Sequence, residues 1–96
     1  ENITFQTQLA LYRITQEAIS NVIKYAQADI VIVQISQNED TLILTIEDDG
    51  IGFEKSEISY GLGLKNIENR TRLINGSFDI VTEKGNGTTL NIVCNV

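Results

Sequence analysis

Two amphipathic helices interleaved with two strand pairs predict an α+β fold. The expected architecture is a two-layer sandwich, with the helices packed on one face of a mixed, mostly antiparallel sheet. Three observations carry this expectation. Apolar residues recur at three- and four-residue steps over residues 6–27 and again over 63–75. A two-residue alternation runs through Thr41–Asp48 and Thr88–Asn95. The links between neighbouring strand candidates are short, which suits hairpins and excludes the long crossovers of a parallel sheet.

Each element has its own signal. Gln6 to Gln27 reads as one long helix, because Leu11, Ile14, Ala18, Val22 and Tyr25 form an apolar stripe. Asp29–Ser36 is rich in Ile and Val and reads as a strand, followed by a polar turn at Gln37–Asp40. Thr41–Asp48 is the second strand, paired with the first as a hairpin. Gly63–Asn75 reads as the second helix, with Leu64, Ile67 and either Leu73 or Ile74 facing inward. Gly76 stands where a C-terminal cap belongs. Ser77–Glu83 and Thr88–Asn95 form a second hairpin around Lys84-Gly85-Asn86-Gly87.

The 96 residues suit one domain spanning 1–96. The first residue is Glu1 rather than Met, so the chain reads as a fragment of a longer protein. No apolar run reaches the length of a membrane span, and no signal peptide is visible. The formal net charge of −6 argues against non-specific nucleic-acid binding and against direct contact with an anionic membrane. It leaves a nucleotide ligand open, since a cation and backbone N–H groups can offset phosphate charge locally. The single cysteine, Cys94, cannot form an internal disulfide and reads as a small buried hydrophobe, in keeping with a reducing cytoplasm. The chain has no histidine. All imidazole chemistry within it is therefore excluded; if the parent protein phosphorylates a histidine, that histidine lies on another segment.

Strand parity singles out Asp48. Leu42, Leu44, Ile46 and Asp48 share a face, and the three apolar residues must meet the core. Asp48 therefore points inward at the strand's end, while Asp49 points out. A buried carboxylate needs a donor, and Gly50-Ile51-Gly52 beside it lets the backbone come close to a ligand. That pairing suits an exocyclic amino group such as that of adenine. The alternative is an Asp that caps its own glycine turn. Gly61-Leu62-Gly63-Leu64 opens the second helix, whose exposed N–H groups favour phosphate; alternatively it is a flexible turn. On the long helix Glu17, Asn21 and Lys24 fall within one arc at about 100° per residue. Glu17 and Asn21 could hold a hard cation or its waters, and Lys24 could meet phosphate; the alternative is a solvated polar face. Thr88 shares the core side with Leu90, Ile92 and Cys94, within reach of Asp48 if the two strands are neighbours, or else it is an ordinary β-branched strand residue.

Taken in order, these segments resemble the GHKL family of ATP-binding domains, which includes histidine kinases, DNA gyrase B, Hsp90 and MutL. Glu17-Ala18-Ile19-Ser20-Asn21-Val22-Ile23-Lys24-Tyr25-Ala26 resembles the N box, Asp48-Asp49-Gly50-Ile51-Gly52 the G1 box, and Gly61-Leu62-Gly63-Leu64 the G2 box. Gly87-Thr88 resembles the pair that opens the closing strand. Arg13-Ile14-Thr15-Gln16-Glu17-Ala18 and the short segment Phe53–Tyr60 between the glycine boxes are most similar to sensor kinases acting on NarL-like regulators, including the DesK group.

The resemblance implies a Bergerat fold, Mg-ATP as ligand, and transfer of the γ-phosphate to a histidine on a separate dimerisation domain. A response regulator would be the onward partner, and the setting would be cytoplasmic even if the parent is anchored in the inner membrane. It also implies roles. Asp48 would accept from the adenine amine, Asn21 would ligate Mg2+, and Glu17 would be the catalytic acid that polarises the attacking group or a metal-bound water. Lys24 and Tyr25 would border the phosphate and ribose. Gly50, Gly52, Gly61, Gly63 and Leu64 would line the nucleotide and its lid, and Thr88 would support the adenine pocket. Tyr25 stands where the family often has His, and no F box is visible in the short lid. Two rival functions share the sequence features: a serine kinase of the anti-sigma-factor type and a non-catalytic interaction module.

Overall fold

The structure is a computed structural model that describes residues 3–52, 64–83 and 85–95. The lid segment, Gly61, Gly63 and Lys84, and the side chains of Tyr25 and Ala26, lie outside the described set.

The first helix, α1, spans Phe5–Asn21. Thr4 starts it: its Oγ1 accepts from the Thr7 N–H at 3.2 Å, satisfying one of the free donors of the first turn. Leu11, Ile14 and Ala18 are buried, and Val22 continues the same stripe. The α-helical hydrogen bonding stops at Asn21. Val22–Ala26 winds as a π-helical turn, closed by Gln27 in the left-handed region at φ 52°. The expected single helix to Gln27 therefore changes pitch one turn before its end. The wider turn advances fewer degrees per residue, so the arithmetic that groups Lys24 with Glu17 and Asn21 does not carry past Asn21.

Four strands follow in antiparallel pairs: β1 at Val31–Asn38, β2 at Thr41–Asp48, β3 at Ser77–Thr82 and β4 at Thr88–Asn95. Their spatial order is β1-β2-β4-β3, so β4 lies between the two strands that sequence alone does not join. The first ladder runs from Val31↔Asp48 to Asn38↔Thr41, two residues later in the chain than the expected strand. Its turn is only Glu39–Asp40, and Glu39 takes φ 57° to make it. Asp29 and Ile30 fall outside the ladder for a reason given below.

The second helix, α2, spans Leu64–Leu73. Ile74 is buried, whereas Leu73 is 69% exposed, which resolves the alternative between them. The helix ends in a Schellman motif: the Gly76 N–H donates to the Thr71 carbonyl at 2.9 Å and the Asn75 N–H to the Arg72 carbonyl at 3.0 Å. The left-handed residue is Asn75, at φ 56°, and not the glycine expected there. Gly76 is needed for space, since a Cβ would sit 2.9 Å from the Val93 carbonyl oxygen and 3.2 Å from the Cys94 Cβ.

Both helices cover one face of the sheet. The core joins Leu11, Ile14 and Ala18 of α1 and Leu64 and Ile67 of α2 with Leu42, Leu44, Ile46, Leu90, Ile92 and Cys94 of the two central strands. Each fully buried Leu or Ile contributes about 1.5–3 kcal/mol. The alternation of β2 and β4 is the trace of that packing. β1 shows none of it: Val31, Val33 and Ile35 share the inner face with Asp48, Ile46 and Leu44 but remain 36%, 41% and 59% exposed, since among the described residues neither helix packs closely on this edge strand. No helix among the described residues is long and apolar enough to cross a membrane.

Candidate functional site

Asp48 ends β2 on the inner face, directly opposite Thr88 of β4. It is 8% exposed, one of two buried polar or charged residues among those described. Its Oδ1 accepts the Gly50 N–H at 2.8 Å. Burial pushes its carboxyl above the ordinary 3.8, and the charges of Asp49 and Glu47 push the same way, while the Gly50 and Thr88 backbone donors pull it down. The inward acid and the self-capped turn, alternatives at the level of sequence, are thus both present. One turn-forming bond is made and the carboxylate still points into the interior.

Asp49 shows how the turn is held. Its exposed Oδ1 accepts the Asp29 N–H at 2.9 Å and the Ile30 N–H at 3.0 Å, and its own N–H donates to the Ile30 carbonyl at 3.3 Å. These bonds replace the ladder at Asp29 and Ile30, which is why β1 starts at Val31. They also hold the Asp49 carboxyl below its usual value, the Ile30 donor most of all. Sequence parity places Asp49 outward and misses this role. The acceptor-rich turn next to a strand lead-in is the signal that could have found it.

The glycines around Asp48 serve close contact between two turns. A Cβ on Gly87 would overlap the Asp48 carbonyl oxygen, and one on Gly52 would overlap the Glu83 carbonyl and stand 2.9 Å from that of Gly87. Both take positive φ, 80° and 61°. The Gly85 N–H donates to the Ile51 carbonyl at 2.5 Å. The β3–β4 turn is thereby clamped against the turn that follows β2. Thr88 is on the core side as parity requires, and the β2–β4 pairing brings it beside Asp48, but its hydroxyl pairs with the Thr82 hydroxyl at 2.9 Å rather than with the acid.

Glu17 and Asn21 are half-buried on α1, and Lys24 is exposed in the π-helical turn. Glu17 lines a cleft of about 430 Å3 between the helices, with Arg13, Gln16 and Ser20 of α1 and Arg70 of α2. Asp48, Asn21 and Lys24 are not on that wall. Arg13 figures in the sequence only as the start of the stretch that resembles the sensor-kinase helix entry, one turn before Glu17 and with no role of its own; Arg70 is unmarked, and nothing in the sequence ties it to Glu17. Among the described residues no three of His, Cys, Asp and Glu converge on a metal site. The donor set of Asn21 with Glu17 suits Mg2+ held largely by phosphate and water, as is usual for that ion.

Residues 6–96 match the family described as histidine kinase-, DNA gyrase B-, and HSP90-like ATPase. The chain is 37% identical over 89 residues to the sensor histidine kinase ComP of Bacillus subtilis, covering 90% of this chain and 12% of that protein. It is 36% identical over 89 residues to the oxygen sensor histidine kinase NreB of Staphylococcus carnosus, covering 91% and 26%. It is 44% identical over 85 residues to the sensor protein VraS of Staphylococcus epidermidis, covering 85% and 24%. The chain thus spans about a quarter or less of these relatives. Its fold matches the histidine kinase domain of a blue-light activated kinase from Erythrobacter litoralis at a TM-score of 0.77 and 21% identity, over 93% of this chain and 44% of that one. It also matches the Acinetobacter baumannii histidine kinase AdeS at 0.77 and 19%, over 90% and 45%.

Proposed function

The chain belongs to the family of histidine kinase-, DNA gyrase B- and HSP90-like ATPases, and from that premise we propose that it is the Mg-ATP-binding domain of a sensor histidine kinase. In this reading it works in the cytoplasm and delivers the γ-phosphate to a histidine on a separate dimerisation domain of the same protein. A response regulator then takes the phosphoryl group. The observation that carries the reading is the buried, inward carboxylate of Asp48, flanked by a turn that contains Gly50 and Gly52.

Asp48 accepts from the adenine amino group, a discrimination that needs an ionised acid held in a dry wall. Gly50 and Gly52 keep side chains away from the purine, and Thr88 backs Asp48 from the next strand. Asn21, at the last α-helical position, holds Mg2+; Lys24 and Tyr25 border the phosphate and ribose; Gly61 and Gly63 are assigned to the lid by the family resemblance, and Leu64 follows them with its side chain in the core. Bound Mg-ATP supplies the transferable phosphoryl group. Glu17 orients the attacking imidazole by accepting from its N–H, so that the opposite nitrogen presents its lone pair in line. Such transfer depends mainly on positioning and charge neutralisation. The named relatives are sensor proteins, two of them histidine kinases, which favours a histidine acceptor over serine.

Calorimetric titration tests the reading. The unaltered chain should bind Mg-ATP, and Asp48→Asn should lose about 1–3 kcal/mol of binding free energy, the cost of a buried polar partner left unmatched. Equal affinities would remove Asp48 from the adenine site.

A further inference from the structure

The cleft between α1 and α2 carries two arginines to which the nucleotide-binding reading above gives no role. Arg13 and Arg70, from different helices, both line it beside Glu17. We propose that this cleft receives an acidic side chain of the segment that bears the acceptor histidine, seated between Arg13 and Arg70 while the imidazole meets Glu17. The assignment rests on the histidine-kinase reading above.

Charge is the first argument. The chain has 7 basic against 13 acidic residues, so its overall field repels an acidic segment. Two arginines lining it from the two helices make this cleft a local exception. Among the described residues neither is paired: the ion pair there is Arg72 with Glu68, and Arg13 forms none with Glu17 one helical turn away. Guanidinium groups match a carboxylate in a two-pronged geometry that lysine cannot offer.

Glu17 supplies the second argument. Its carboxylate, on the same wall, repels a second anion and accepts a donor. An occupant that satisfies the whole wall carries an acid and an N–H donor about one helical turn apart, roughly 6 Å, the rise between Arg13 and Glu17. A polyphosphate tail offers only acceptors and meets Glu17 only through its Mg2+, leaving the donor that Glu17 itself can accept unsupplied. Asp48, the proposed adenine partner, is not part of this wall.

The test uses the full-length protein with Arg13→Gln, Arg70→Gln and the double substitution. Each single variant should slow phosphorylation of the histidine roughly fivefold while the KM for ATP stays within about twofold, and the double variant should lose the salt dependence of the wild-type rate. Arg70→Lys, which keeps charge and packing, should recover part of the rate at low salt. Unchanged transfer in both single variants overturns the assignment. So does a parallel loss of ATP affinity, which would give the cleft to the nucleotide's phosphates. A wild-type protein that fails to bind Mg-ATP sinks the kinase reading itself, whereas active wild type with equally active arginine variants sinks only the cleft.

Discussion

Asp48 and Asp49 are chain neighbours with opposite acid–base behaviour, and the difference is one of surroundings. Asp48 lies in the interior, where the charged form loses hydration, and its carboxyl rises above 3.8. Asp49 lies in water with two backbone donors on one oxygen, and its carboxyl falls. Linkage turns both into pH effects. The stabilisation from Asp49 is complete above its unfolded value and is lost as pH drops through the depressed folded value. Asp48 works the other way, disfavouring the folded state as pH rises from 3.8 through its raised value. Asp49→Asn should therefore flatten the acid limb of the stability–pH curve and speed amide exchange at Asp29 and Ile30. For function, Asp48 must be ionised to accept from an amine. ATP affinity should fall with acidification earlier than an ordinary carboxylate predicts, and Asp48→Asn should remove that component. Superimposable pH profiles for wild type and variant would refute it.

At the scale of elements, the helix ends depart furthest from sequence expectation. A glycine near a helix terminus is ordinarily read as the left-handed cap, yet Asn75 takes that conformation and Gly76 serves packing against β4. Asn75→Gly should change stability by less than about 1 kcal/mol, since glycine adopts the same φ without strain. Gly76→Ala should cost about 1–3 kcal/mol, because its Cβ meets backbone rather than a flexible side chain. Thermal unfolding of the two variants decides between the cap and the contact; a large loss in Asn75→Gly alone would reverse the assignment. The π-helical turn is the other departure. Its five residues stand directly after Asn21, so the helix pitch changes at the residue proposed to hold Mg2+.

For the molecule as a whole, the uncovered strand is the weakest part of the sheet. The Asp49 N–H to Ile30 carbonyl bond sets the alternation of the first ladder. Bonded pairs then fall at Ile32, Gln34, Ser36 and Asn38, and Val31, Val33, Ile35 and Gln37 direct their N–H groups to the open edge. Hydrogen exchange should show this as a two-residue alternation along β1, fast at the odd positions and slower at the even ones. The central strands β2 and β4, paired on both sides, should be the most protected. Uniform protection along β1 would mean that something covers the edge in solution.

Local physics made much of this protein legible in advance. Apolar periodicity marks both helices and the strands β2 and β4, because a helix or strand with one wet face must repeat with its own pitch; β1 shows only as a run of Ile and Val and starts two residues later than expected. Parity along Thr41–Asp48 turns one acid inward, and the same count puts Thr88 on the core side; that Thr88 stands opposite Asp48 depends on β2 and β4 being neighbours. What depended on contacts between distant segments was out of reach. The β1-β2-β4-β3 order, the overlap of Gly52 and Gly87 with neighbouring carbonyls, the Asp49 bonds to Asp29 and Ile30, and the meeting of Arg13 with Arg70 all join residues far apart in the chain. Periodicity reports which face of an element is buried and carries no information on what buries it; that was decided only when the helices packed on the sheet.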